Sequence, residues 1–144
     1  MSNIPQTVAQ AYIRTTQRVP DKEAVVSADG RRYTYAEVQN EVERLATALH
    51  TLGCRPGDRV AVWLANSPEW VFAEFACALL GILIVPVNAR FRADEAAYVM
   101  RSARTKVLIT QPSFLSNNYL ERLYEIAGGT LGEGDVTSID ELPD

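Results

Sequence analysis

Apolar residues recur along the chain with two different periods, and the changes of period mark the elements. Val38, Val42, Leu45, Leu49 and Leu52 are spaced 4, 3, 4 and 3 residues apart, the stripe of an amphipathic helix. Thr34 and Glu37 form a capping-box pair at its start, and Gly53 supplies a left-handed stop. An earlier helix is expected over residues 7–18, with Val8, Ala9, Tyr12 and Ile13 on one broad face and Pro20 ending it. Between the two, strands at 24–27 and 31–35 flank Asp29-Gly30, an Asp-Gly hairpin signal.

Beyond Gly53 the helical stripe gives way to short apolar runs. Arg55-Pro56-Gly57-Asp58 reads as a type II turn, with glycine where φ must be positive. It leads into a strand at 60–64, short and apolar enough to be central in a parallel sheet. Asn66-Ser67-Pro68-Glu69 starts a helix, with Ser67 suited to the cap, Pro68 to the first turn and Glu69 to the dipole. That helix runs through Leu80 with only Glu69 and Glu74 charged, so most of its sides should be buried. A strand at 82–87, a helix at 93–102, a strand at 106–110 and a polar helix from about 113 to 127 complete the pattern. Strands alternating with helices at these lengths predict an α/β fold: a parallel sheet with flanking helices, preceded by the short β-hairpin.

Composition narrows the function classes. The 144 residues are 47% hydrophobic and 22% charged, ordinary for a globular domain. The longest uncharged apolar run, from Phe75 to Val87, has 13 residues and contains Gly81 and Pro86. A transmembrane segment needs about 20 residues, so this run reads as core. With no secretory pattern at the start, the expected location is cytoplasmic. Residues 1–122 hold 14 Lys+Arg against 12 Asp+Glu, while residues 123–144 hold 6 acids and no base. Neither part has the basic stripe of a nucleic-acid binder, so no nucleic acid is expected as partner. Four of the eight glycines also fall after residue 127. The expected organisation is an α/β subdomain over 1–127 and a flexible, acidic, Gly-rich connecting segment over 128–144.

The chain is poor in catalytic equipment. It has no G-x-G-x-x-G, no G-x-S-x-G, and its one G-x-x-x-x-G (Gly129 to Gly134) precedes Asp135 rather than lysine. Its one histidine, His50, falls one residue off the apolar stripe with no nucleophile or acid beside it. Glu37 and Glu41 share a helical face, but Glu37 is already committed to the cap. Trp63, Trp70, Phe72 and Phe75 read as core packing rather than a ligand pocket. Cys54 and Cys77 have no companion at metal spacing and read as two unpaired thiols.

Four segments resemble one family. Tyr33-Thr34-Tyr35-Ala36-Glu37-Val38 resembles the L-T-Y-x-E-L motif of AMP-forming adenylating enzymes, which include acyl-CoA synthetases, peptide-synthetase adenylation domains and luciferases. Leu79-Leu80-Gly81-Ile82-Leu83-Ile84-Val85-Pro86-Val87-Asn88 resembles their L-K-x-G-A-x-x-V-P-x-[ND] motif. Gly57-Asp58-Arg59-Val60 and Asn66-Ser67-Pro68-Glu69 resemble the G-D-R-V and N-[ST]-x-E segments between them. The match runs from about residue 5 to 110, departing at Ile82 (usually alanine) and Ala89 (often proline). Asn88, usually aspartate in peptide synthetases, favours the acyl-CoA synthetase branch.

The resemblance implies an incomplete N-terminal subdomain. In the family, the Ser/Thr/Gly-rich phosphate loop, the Y-x-x-G-D residues and the C-terminal catalytic lysine lie further along. The implied parent activates a carboxylic or fatty acid with ATP and Mg to an acyl-adenylate and passes it to CoA. The fragment alone is expected to be inactive, with no catalytic residue, no metal ligand and no cofactor of its own. Its implied partner is the remainder of the parent chain, with self-association through an exposed sheet edge. The alternatives are a fragment of an acyl-AMP ligase or peptide-synthetase adenylation domain, or a non-catalytic interaction module. Arg90, the arginine of N-x-R just after a strand end, is the one candidate ligand contact, for a phosphate of the CoA nucleotide. Arg92 is a weaker candidate, and a solvated arginine near Asp94 and Glu95 remains the competing reading.

Overall fold

A computed structural model describes residues 6–126; the expected connecting segment, 128–144, lies outside the described residues. Helix α1 (Val8–Arg18) is opened by Thr7, whose hydroxyl accepts the Gln10 N–H at 3.1 Å. Its buried residues are Tyr12 and Thr16, whereas Val8 and Ile13, expected on the inner face, are 54% and 42% exposed. The face is rotated because Tyr12 stacks on Phe75 at 4.2 Å between ring centroids, which fixes the helix azimuth.

Strands β1 (Glu23–Val26) and β2 (Arg32–Thr34) pair antiparallel around Asp29-Gly30. Gly30 has φ +89°, and the Asp29 carboxylate accepts the Arg31 N–H at 3.0 Å. β2 stops short of Tyr35 because Thr34 is already the cap of α2 (Tyr35–Thr51). The Thr34 hydroxyl accepts the Glu37 N–H at 3.2 Å, and the Glu37 carboxylate accepts the Thr34 N–H at 2.7 Å. Val38, Val42, Leu45 and Leu49 are buried as expected. Each contributes about 1.5–3 kcal/mol relative to exposure. Leu52 lies past the last turn and is 53% exposed, and Gly53 follows at φ +81°.

The predicted type II turn forms: the Asp58 N–H bonds to the Arg55 carbonyl at 3.0 Å, with Gly57 at φ +87°. It leads to β3 (Arg59–Trp63), the centre of a parallel sheet ordered β4-β3-β5, with β4 Leu83–Pro86 and β5 Val107–Thr110. Ala61 pairs with Val85 on one side and Leu108 on the other. Helix α3 (Pro68–Leu80) joins β3 to β4, and α4 (Ala93–Ala103) joins β4 to β5. Among the residues of α3 only Glu74 is exposed, as its near-absence of charge predicted.

Alternate residues of β3 feed two separate cores. Val60, Val62 and Leu64 pack with Val42, Leu49, Phe72 and Cys77 of α2 and α3. Ala61 and Trp63 pack on the opposite face with Ala96 of α4 and Tyr119. The sheet is thus covered by helices on both faces, and the α/β expectation holds. One element differs. The helix expected over 113–127 is a small hairpin, β6 (Ser113–Phe114) with β7 (Asn117–Asn118), followed by α5 (Tyr119–Ile126). The chain turns at Leu115, φ +53°, and Asn118 caps the shorter helix by accepting the Glu121 N–H at 3.2 Å. Side-chain capping at an asparagine outweighs helix propensity there.

Candidate functional site

Where successive parallel strands send their connections to opposite faces, a crevice opens beyond the strands' carboxyl ends. That condition holds at β3 and β4: α3 belongs to one core and α4 to the other. The loop leaving β4 there, residues 88–92, contains Arg90.

Three carbonyls of this loop are held from outside it. The buried Trp63 indole donates to the Asn88 carbonyl at 2.9 Å, and the Phe91 N–H shares that oxygen at 3.0 Å. The Ala89 carbonyl accepts the Tyr119 hydroxyl at 2.7 Å and the Asn117 amide at 3.2 Å. Arg122 donates to the Phe91 carbonyl at 2.7 Å and, with its other terminal nitrogen, to the Asn117 side-chain oxygen at 2.7 Å. Asn117 therefore bridges Arg122 to the loop. Inside the loop, the Asn88 side chain accepts the Arg90 N–H at 2.9 Å, and the Arg92 N–H bonds to the Glu95 carboxylate at 2.9 Å.

Tyr119 is fully buried, its ring 4.7 Å from that of Trp63. Burial pushes its phenol up, against a smaller opposing pull from Arg122, so it holds its proton as a donor. Arg90 is exposed, and its guanidinium makes no hydrogen bond or ion pair among the described residues. That exposure is equally what the competing reading, a solvated arginine, expects; of the two acids it set nearby, Glu95 accepts the Arg92 backbone N–H. Arg92 is the exposed N-cap of α4 and borders an open groove of about 300 Å³ with Ser116, Asn118, Glu121, Arg122 and Glu125.

The other singled-out residues have structural places. His50 is exposed at the end of α2, and Glu37 is held in the cap, whose hydrogen bonds from the Thr34 backbone and hydroxyl lower its carboxyl. Glu41 pairs with Arg44 at 3.1 Å. Phe72 meets Tyr33 edge-on at 5.5 Å, and Trp70 and Phe75 pack partly buried on the larger core. Ser67 sits at the cap position of α3, but its hydroxyl makes no capping bond, and Pro68 occupies the first turn as expected. Cys54 and Cys77 are buried free thiols. Desolvation pushes Cys77 up to about 11 and also raises Cys54. Among the described residues no three His, Cys, Asp or Glu side chains cluster as metal ligands, and no helix is long and apolar enough to cross a membrane.

Sequence reasoning missed Asn117, Tyr119 and Arg122, because the continuous helix expected there put them on a solvent-facing element. The available signals were the Asn117-Asn118 pair and the need of a buried Trp63 or Tyr119 for a polar partner.

A family model described as "AMP-binding enzyme" matches residues 13–142. The mitochondrial medium-chain acyl-CoA ligase ACSF2 of Danio rerio is 35% identical over 96% of this chain, which covers 23% of that relative. The crotonobetaine/carnitine–CoA ligase of Salmonella paratyphi A is 35% identical over 76% of this chain and 22% of its own length. The chain thus spans between a fifth and a quarter of these relatives. Among solved structures, the N-terminal domain of Mycobacterium tuberculosis FACL13 superposes with a TM-score of 0.77 at 28% identity, covering 92% of this chain and 33% of that one. The N-terminal subdomain of Klebsiella oxytoca NpsA, in complex with 3-hydroxybenzoyl-AMSN, superposes with a TM-score of 0.69 at 29% identity, covering 74% and 26%.

Proposed function

The chain belongs to the AMP-binding enzyme family, and from that premise we propose that it is the N-terminal scaffold of an AMP-forming acyl-CoA ligase. The complete enzyme activates a carboxylic acid with ATP and Mg as an acyl-adenylate, then transfers the acyl group to the thiol of CoA. The described residues 6–126 belong to one α/β subdomain, which we bound at 1–127, with 128–144 assigned as the segment joining it to the remainder of the enzyme. The subdomain supplies packing surfaces and one ligand contact, and by itself catalyses neither step. Its free, buried cysteines suit a reducing compartment, and the cytoplasm is the one proposed.

The observation that carries this reading is the loop after β4, held by side-chain bonds at three carbonyls, with the exposed Arg90 guanidinium on it making no bond among the described residues. A planar, permanently charged fork at the carboxyl edge of a parallel sheet suits two-point contact with a phosphate of the CoA nucleotide. No residue of this chain is assigned to Mg or to ATP.

The complete ligase, given a panel of carboxylic acids, ATP, Mg and CoA, should release AMP and form acyl-CoA. Release of ADP, or no acid-dependent nucleotide turnover, would refute the reading. Calorimetry of the 144-residue chain with MgATP should show no heat of binding, and a micromolar dissociation constant would refute the scaffold role. A second reading, an adenylation domain that loads a carrier protein, is favoured by the likeness to NpsA-ThdA of Klebsiella oxytoca, an artificially fused adenylation–PCP di-domain, at 29% identity and a TM-score of 0.68. Acyl transfer to a carrier protein but not to CoA would select it.

A further inference from the structure

Side chains from the segment after β5 fix the loop after β4, although 28 or more residues separate them in sequence. We propose that Tyr119, Asn117 and Arg122 are positioning residues for CoA capture: they clamp residues 88–92 so that the backbone carrying Arg90 is held in place before the ligand arrives. The inference rests on the reading of Arg90 as a phosphate contact and adds the device that sets its place.

Each of the three bonds a carbonyl of the loop, and none bonds Arg90 itself. Tyr119 is anchored at both ends, its backbone N–H bonding to the Pro112 carbonyl at 3.0 Å and its ring buried against Trp63. Its hydroxyl is therefore a fixed post rather than a swinging group. Asn117 is held in turn by Arg122, so its amide cannot rotate away from Ala89 without breaking a second bond. A loop ordered before binding spares the ligand the entropy of ordering it. The side chain doing the binding is exposed, while the groups that place its backbone are buried or half-buried.

The test compares Tyr119→Phe and Asn117→Ala with Arg90→Ala in the complete ligase. Tyr119→Phe keeps the buried ring and removes only the donor. The measurements are KM for CoA, ATP–pyrophosphate exchange, which does not use CoA, and amide hydrogen exchange of residues 88–92. Tyr119→Phe should raise KM for CoA about three- to ten-fold, the share one hydrogen bond contributes to order. It should also speed amide exchange of the loop while pyrophosphate exchange stays within about two-fold. If Arg90→Ala raises KM for CoA but Tyr119→Phe leaves both KM and loop exchange unchanged, the positioning role is refuted. If Tyr119→Phe lowers both half-reactions together with the melting temperature, its role is structural and the proposal is overturned. If Arg90→Ala leaves KM unchanged, the phosphate contact itself fails, and amide exchange still reports separately whether the clamp exists.

Discussion

Trp63→Phe removes three heavy atoms from a side chain with no solvent exposure, including the indole N–H that bonds to Asn88. The Asn88 carbonyl keeps its second donor, the Phe91 N–H at 3.0 Å, so no buried acceptor is orphaned. The hydrogen bond lost is then worth its net value, about 1 kcal/mol. The two buried carbons lost add about 1.5 kcal/mol at roughly 0.8 kcal/mol each. The total, about 2.5 kcal/mol, lowers the melting temperature by about 10 °C for a domain of this size. Urea unfolding of the chain followed by circular dichroism measures it. Trp70→Phe is the control: Trp70 is half-buried, its indole nitrogen has no partner among the described residues, and about 1 kcal/mol or less should be lost. Equal losses at the two sites, or a loss at Trp63 below about 0.5 kcal/mol, would refute the joint core-and-loop role argued for Trp63.

Thr34→Ala deletes the hydroxyl half of the α2 capping box and should cost about 1 kcal/mol by chemical denaturation, with Glu37→Gln milder because it keeps an acceptor. Asp58 is held below its ordinary 3.8 first by the Lys106 ammonium and then by the Arg55 N–H. A lowered carboxylate stabilises above its unfolded value and loses that contribution as pH falls through the folded one, so Asp58→Asn should flatten the acid limb of the stability curve below about pH 4. The two thiols, both raised by burial, should resist a thiol reagent at pH 8 in the folded chain and react fully in denaturant; fast native labelling would contradict their burial. Leu83 at the start of β4 and Val87 just past its end donate to the Asp58 and Val62 carbonyls on the β3 side, so alternation turns Pro86 outward, where it offers no N–H. Self-association of the chain should therefore proceed through the outer edge of β5, and Val107→Pro, at a half-buried position whose N–H alternation turns away from β3, should reduce it in light scattering without altering the β3–β4 register.

Wherever a local signal was also the global one, the sequence was legible. The α2 stripe, its capping box, the Arg55–Asp58 turn and the parallel strands needed only spacing and turn chemistry, and the structure keeps them within a residue or two. Ile13 was misread because helical periodicity leaves the azimuth of a short helix open until a contact, here Tyr12 on Phe75, fixes it. The hairpin before α5 was missed because its two-residue strands are too short for any period to register. For the candidate site the split is sharper. Arg90 was visible through motif resemblance, but the clamp consists of bonds from side chains to distant backbone carbonyls, and no one-dimensional pattern records those.

In the proposed acyl-CoA ligase, this scaffold would present Arg90 to CoA. KM for CoA in the complete enzyme, wild type against Arg90→Ala, with pyrophosphate exchange read in the same preparations, tests it most directly. Arg90→Ala should raise KM for CoA with pyrophosphate exchange retained. An unchanged KM for CoA would contradict it.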